Sequence, residues 1–421
     1  MNAVPNERPE PPEPVHRWVP GTGSGLSEIL ACVLPSVRAA AGNALEAVLL
    51  SGSHATGEAV WATHAGHRVS LSDLDLYVIL RDEAAVPAAR RALRLPESRV
   101  LLRAGLAGPA EAGFVTLDGL ARMSARPGTV ELARSARVLE GDPGLLARLP
   151  HWEPGAIGPE ERLRLLENRA FELLWARLIG STGLEALRAQ HAVLKCALDL
   201  AAVRALGRGE LPATAAARVS LATALGEPAG SPSWLAGAWA GLAPLWRAAV
   251  AWREGEAVAS THDELRRDWR AAARGWAAAW WAETAAMSSA AEPFPRALEA
   301  AARGSLARRL RHALRALPGW PAAQALAQRF ATSGGDASLR SERGSPLLRA
   351  TAGTPELRLH GVAAVLVLAA AQAAGEPALP AGALHALRRL GFPRLRSFDD
   401  TARVALCAWG RPLPADAGAG A

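Results

Sequence analysis

Two short apolar runs constrain this chain most, Ala47–Leu50 and Leu76–Leu80, because of the polar residues that border them. The first ends in Ser51-Gly52-Ser53, and the second follows Ser72-Asp73-Leu74-Asp75. Apolar runs of this length beside turn residues read as buried strands. A helix is expected before them, over Ser27–Ala41, and another after them, over Val86–Leu95. Ala112–Thr116 reads as a third, weaker strand. Alternating strands and helices predict an α/β fold with a small mixed sheet over residues 25–150.

Beyond Pro150 the strand signals largely stop. Glu160–Ile179 and Glu185–Leu206 carry helical periodicity, and eight tryptophans fall between residues 234 and 287. Leu298–Leu317 reads as an arginine-rich amphipathic helix, followed by a Gly/Ser-rich loop over Thr332–Pro346. The expected organisation is a flexible Pro-rich lead over 1–24, an α/β domain over 25–150, a mostly α-helical domain over 151–290, and a second helical region over 291–421. Trp269, Trp276 and Trp280 recur at helical spacing and read as interhelix packing, with a base-stacking platform as the other use of such rings. Arg303, Arg308, Arg309, Arg311 and Arg315 read as a solvated face more readily than as a phosphate surface.

A net charge of +7 over 421 residues suits a phosphate-bearing partner without forming the dense basic stripe of a dedicated nucleic-acid binder. Cys32, Cys196 and Cys407 are widely spaced and odd in number, which points to a reducing cytoplasm and away from a disulfide framework. Gly361–Ala374 is the longest mainly apolar run and falls short of the roughly 20 residues that cross a bilayer, so no membrane partner is expected.

The chemistry sits where the two apolar runs meet their polar borders. Asp73 and Asp75 are two residues apart at the start of a strand, so both side chains take one face. Two carboxylates so placed can hold a pair of magnesium ions about 3.5–4 Å apart, as phosphoryl transfer requires. Gly52 allows a tight turn and close backbone approach, and Ser53 adds a hydroxyl and an N–H to a phosphate cradle.

A Gly-Ser after one strand and Ser-Asp-x-Asp-Leu opening the next resemble the signature of the DNA-polymerase-β-like nucleotidyltransferases. Gly52, Ser53, Asp73 and Asp75 fall on its motif positions, and Gly57 matches the glycine common after the Gly-Ser. Arg137–Pro143 and the helix around Val193–Ala201 resemble the aminoglycoside-nucleotidyltransferase-like branch. The resemblance implies magnesium-dependent transfer of a nucleoside monophosphate from a nucleoside triphosphate such as ATP to an acceptor hydroxyl. A small molecule or a protein is favoured over RNA as acceptor. It also implies a third carboxylate on the next strand. Glu111 fits that place by position, an absent third carboxylate remains the alternative, and Asp118 reads as a helix cap. Without a third carboxylate the same fold would serve as a non-catalytic nucleotide-binding regulator. The arginines and tryptophans would suit an RNA-directed transferase.

Two further features depart from the compact family pattern or add to it. The stretch between Gly57 and Ser72 is long and carries Trp61, His64 and His67, as an extra hairpin or loop. With His54 these histidines make a conceivable zinc site or, more simply, scattered surface residues. Lys195 is the only lysine in a chain otherwise supplied with arginine. It reads either as a flexible point charge reaching the triphosphate or as a surface ion-pair partner of Asp199 one turn on.

Overall fold

The computed structural model describes residues 25–179, 182–228, 230–285, 288, 290–297, 299–300, 355–389 and 397–408. The Pro-rich lead, the arginine run at 303–315 and the Gly/Ser-rich loop lie outside the described residues. In chain order the first elements are α1 (Gly25–Ala41), β1 (Leu45–Ser51), α2 (Gly52–Thr56), β2 (Trp61–His64), β3 (His67–Ser70) and β4 (Leu74–Leu80). Then come α3 (Ala85–Ala92), α4 (Ser98–Arg103), β5 (Ala110–Val115), α5 (Leu117–Ala121), α6 (Pro127–Ser135) and β6 (Arg137–Glu140). The rest is mainly helical: α7 (Pro159–Leu178), α8 (Gly183–Leu206), α9 (Ala215–Leu225), α10 (Ala243–Glu254), the two-residue β7 (Glu256–Ala257) and α11 (His262–Thr284). Three more helices follow, α12 (Pro355–Gln372), α13 (Ala381–Arg389) and α14 (Phe398–Ala408).

The chain divides into two compact units. Among the described residues the sheet unit comprises 25–59, 65–123 and 128–151, and the helical unit comprises 60–64, 124–127 and those from 152 onward. The long stretch after Gly57 therefore supplies both, β2 to the helical unit and β3 to the sheet unit. Ala65 and Gly66 join these two strands with φ of 51° and 78°, a pair of left-handed residues suited to a two-residue turn.

The sheet unit is a four-stranded mixed sheet in the order β5-β4-β1-β6. β1 runs antiparallel to β4 and β6, while β4 and β5 are parallel. Central strands need apolar residues, and Val48, Leu50, Leu76 and Val78 are all buried. α1 lays Ile29, Leu30, Val33 and Val37 into this core and packs on α3. Over Gly25–Ala44 the chain is also apolar and long enough to cross a membrane by length and composition, unlike the shorter Gly361–Ala374 run. The stripe at i, i+1, i+4 and i+8 is nevertheless spent on the core. β6 is the strand without an apolar run. It is placed by Gly141, whose φ of 100° turns the chain where a Cβ would lie 2.6 Å from the Glu46 carbonyl, beside an irregularity in β1.

In the helical unit one apolar core draws on α7 through α14. Tryptophan supplies its bulk, and Trp276 and Trp280 stack with ring centroids 5.9 Å apart. Trp269, Trp276 and Trp280 are all buried, so they pack the core and leave no stacking platform. Their indole N–H groups meet the demand for a partner. Trp269 donates to the Leu173 carbonyl and Trp276 to the Leu166 carbonyl, each at 2.7 Å, and Trp246 donates to the Ala197 carbonyl at 2.8 Å. Arg177 ties the last helices on, pairing with Glu376 at 2.9 Å and Asp399 at 3.1 Å while lying over the Trp269 and Phe398 rings.

Candidate functional site

The end of β1 and the start of β4 lie side by side, with Ser51 in register with Asp75. The chain leaves β1 through Gly52, at φ +66°. A Cβ at this position would stand 2.6 Å from Asp75 Oδ2. Left-handed backbone disfavours any L side chain, and the carboxylate leaves no space for one. Glycine is thus required twice over, by conformation and by the neighbour it admits. Ser53 follows on the one-turn α2, partly accessible, and its carbonyl accepts from Thr56 Oγ1 at 3.2 Å. Gly57 ends α2 at φ +79°.

Along the second segment the alternation is strict. Leu74, Leu76 and Val78 are buried, whereas Asp73, Asp75 and Tyr77 are half-buried. Asp73 precedes β4 by one residue and Asp75 lies within it, so the period of two sets both carboxylates on the more open face. On the other side of β4 the parallel ladder places Glu111 opposite Asp75. Ser51, Asp75 and Glu111 therefore form one row across three strands, and Glu111 is exposed. Among the described residues no three His, Cys, Asp or Glu side chains gather closely enough to hold a metal ion. Register brings Glu111 to the right row, then, but the three acids do not close into a ligand set.

The turn before Asp73 is fixed from several sides. Ser70 N–H donates to the Gly105 carbonyl at 2.7 Å, Ala107 N–H to the Ser70 carbonyl at 2.8 Å, and Leu74 N–H to the Pro109 carbonyl at 2.8 Å. Gly108 sits so close that a Cβ would stand 2.5 Å from the Ser72 carbonyl oxygen. His54 reaches the same turn from α2. Its Nε2 lies 3.1 Å from Ser70 Oγ, which itself donates to the Ser72 carbonyl at 3.3 Å. The ring is 4% exposed, and burial pushes its pKa down to about 4, against the opposing pull of the Ser72 carbonyl and the Asp73 charge. The imidazole is neutral at pH 7. Nothing in the sequence signals this role, because a histidine after Gly-Ser in a loop has no characteristic spacing. The turn pair Gly108-Pro109 gives only a generic hint.

Two expected roles are corrected. Asp118 is not the cap of α5: Thr116 occupies the N-cap, its Oγ1 accepting from Gly119 N–H at 2.9 Å and donating to Glu83 Oε2 at 2.7 Å. Asp118 falls in the first turn, where its charge suits the helix dipole. Lys195 and Asp199 do not form the simple surface pair suggested by their spacing. α8 faces α7, and Asp199 pairs with Arg169 Nε at 2.7 Å while Lys195 Nζ lies 3.8 Å from Glu172. Arg169 also pairs with Glu172. Arg169 and Glu172 are buried and Lys195 and Asp199 half-buried, and Cys196 beside them is fully buried, its thiol pushed strongly upward by the loss of solvent.

No protein-family model, curated protein or solved structure matches this chain. The local geometry must carry the functional reading alone.

Proposed function

We propose that the sheet unit is a magnesium-dependent nucleotidyltransferase of the polymerase-β-like kind. The observation that carries the reading is the contact between Gly52 and Asp75: the Gly-Ser turn is a glycine in left-handed backbone with the Asp75 carboxylate filling the space of its missing Cβ. A turn that binds phosphates and a carboxylate that binds a cation are of use to each other only at such short range. The residues fit magnesium by their chemistry, since Asp73 and Asp75 offer hard oxygen donors on the half-buried, more open face of the strand.

In this reading Gly52 and Ser53 hold the β- and γ-phosphates of a nucleoside triphosphate. Asp73 and Asp75 hold magnesium, which when bound neutralises the charge that grows on the phosphate oxygens. The acceptor hydroxyl oxygen bonds to the α-phosphorus, the α–β phosphoanhydride bond breaks, and pyrophosphate leaves. Glu111, in register with Asp75 one strand over, is the carboxylate that would take the hydroxyl proton. Positioning and charge neutralisation supply most of the acceleration. The acceptor is a hydroxyl of a small molecule or a protein.

One observation favours a second reading, a nucleotide-binding regulator without turnover: Asp73, Asp75 and Glu111 do not gather into a ligand set. Incubating the full chain with each α-³²P-labelled nucleoside triphosphate and magnesium, with and without a cell extract, separates the two. Label transferred to an acceptor, and lost in Asp75→Asn, supports transfer. Saturable Mg·NTP binding with no transfer selects the regulator, and the absence of both ends the assignment.

A further inference from the structure

We propose that His54 is a positioning residue that braces the phosphate-binding turn against the turn carrying Asp73, so that the two halves of the nucleotide site move as one body. The inference rests on the nucleotidyltransferase reading of the sheet unit and assigns to that site a residue outside the Gly-Ser and Asp-x-Asp motifs.

The geometry points to it in three steps. His54 follows Ser53 directly, on the single turn of α2, and a five-residue helix has too few internal hydrogen bonds to hold its own orientation. Its ring turns inward to Ser70, which is fully buried, and the Ser70 hydroxyl passes the contact on to the Ser72 carbonyl. Because Ser70 Oγ donates to Ser72, its lone pairs face Nε2, and the neutral ring donates there through Nε2–H. The bridge thus runs from Ser53's neighbour to Asp73's neighbour through buried groups alone.

Buried polar groups cost stability unless each finds a partner, and an apolar residue would fill the space beneath α2 without that demand. A directed bridge does what apolar packing does not, since hydrogen bonds fix both distance and orientation. Rotation of α2 about its own axis would change where Ser53 points relative to the turn that carries Asp73. With the bridge in place, Ser53 and Asp73 keep their separation whether or not nucleotide is present. Preorganisation of this kind lowers the ordering cost met on binding.

The test compares wild type with His54→Leu, His54→Gln and Ser70→Ala in the full chain. Without ligand, amide hydrogen exchange over Ser70–Asp75 should rise by about ten-fold in His54→Leu and Ser70→Ala and stay near wild type in His54→Gln, which keeps a donor. With Mg·ATP, the first two variants should show a raised KM and a lowered kcat, whereas loss of global stability alone would lower the active fraction and leave KM unchanged. The double variant His54→Leu/Ser70→Ala should be no worse than either single one, because both cut the same bridge. Unchanged exchange in His54→Leu overturns the bridge. Faster exchange with wild-type KM and kcat overturns its positioning role. If wild type neither binds nor turns over Mg·ATP, the functional reading falls and takes this role with it, and exchange still reports whether the bridge exists. Should His54→Leu fail to fold, Ser70→Ala and His54→Gln give the same two readouts.

Discussion

Replacing Gly52 with alanine tests the candidate site most directly, because the same unit contains its own control. Gly52 and Gly57 both adopt left-handed backbone, at φ +66° and +79°. A Cβ at Gly57 meets nothing within 4 Å, whereas a Cβ at Gly52 would stand 2.6 Å from Asp75 Oδ2. Left-handed alanine costs about 1–2 kcal/mol, and the stiffer unfolded chain returns about 0.4–1 kcal/mol. Gly57→Ala should therefore destabilise by about 1 kcal/mol. Gly52→Ala carries the same terms plus an overpacking cost of about 1–3 kcal/mol, for a total of about 2–4 kcal/mol. Urea unfolding followed by circular dichroism measures both. The excess should vanish when the clash is removed, so Gly52→Ala in an Asp75→Ala background should cost no more than Gly57→Ala does alone. Mg·NTP affinity, read by calorimetry, should fall at least about ten-fold in Gly52→Ala, since displacing the carboxylate moves a cation ligand. Equal destabilisation by Gly52→Ala and Gly57→Ala, with equal Mg·NTP affinity, would refute the argument that Asp75 dictates this glycine.

The remaining predictions concern other parts of the same molecule. Glu111→Gln should abolish nucleotidyl transfer while Asp118→Asn leaves it intact; transfer surviving Glu111→Gln removes the base from the mechanism. Thr116→Ala, which deletes the observed cap of α5, should cost about 1 kcal/mol in urea unfolding, and a smaller loss from this variant than from Asp118→Asn would reinstate Asp118 as the cap. Lys195→Arg should leave the melting temperature within a few degrees, because either side chain can reach Glu172 on the facing helix, and a larger fall would show that this contact needs the lysine stem. The His54 imidazole ordinarily titrates near 6.5 and in the folded chain near 4, so between these values the unfolded chain binds a proton that the native one refuses. Stability should fall as pH drops through that window, by up to about 3 kcal/mol at about 1.4 kcal/mol per pH unit. His54→Gln should lack this component when the two unfolding free energies are compared at pH 7 and pH 4.

The sequence announces some of this architecture and conceals the rest for physical reasons. Most of β1 and the later half of β4, Val78–Leu80, are buried on both faces, so their apolar runs and turn borders mark them, as helical periodicity marks α7 and α8. β6 is an edge strand of Arg, Val, Leu and Glu, paired to β1 across 86 or more intervening positions, and no local signal encodes a partner so distant. β7 is two residues long and exists only through its pairing with β2. In the site, adjacent motif residues were legible because alternation along a strand is a local rule. The row from Ser51 through Asp75 to Glu111 follows from interstrand register, and the His54 bridge from the approach of segments 16 residues apart. Lys195 shows the limit of local spacing: one turn along the helix lies Asp199, but the facing helix offers Arg169 and Glu172, and charge pairs follow proximity in space.

The indole hydrogen bonds of the helical unit have a consequence for alignment. Helices whose contacts are largely alanine present nearly smooth surfaces, and smooth surfaces can slide past one another by a turn at little cost in buried area. Trp269 and Trp276 are seven residues apart on α11, and the carbonyls they reach, Leu173 and Leu166, are seven apart on α7 in the opposite direction. Two pegs in two holes at matched spacing admit one antiparallel setting. A one-turn slip would break both hydrogen bonds at once and pull two buried rings out of the packing around them. A third peg, Trp246 into the Ala197 carbonyl, sets α10 against α8 in the same way. Replacing these tryptophans with phenylalanine would keep most of the volume and discard the pegs, leaving a bundle that stays folded but loses its single register.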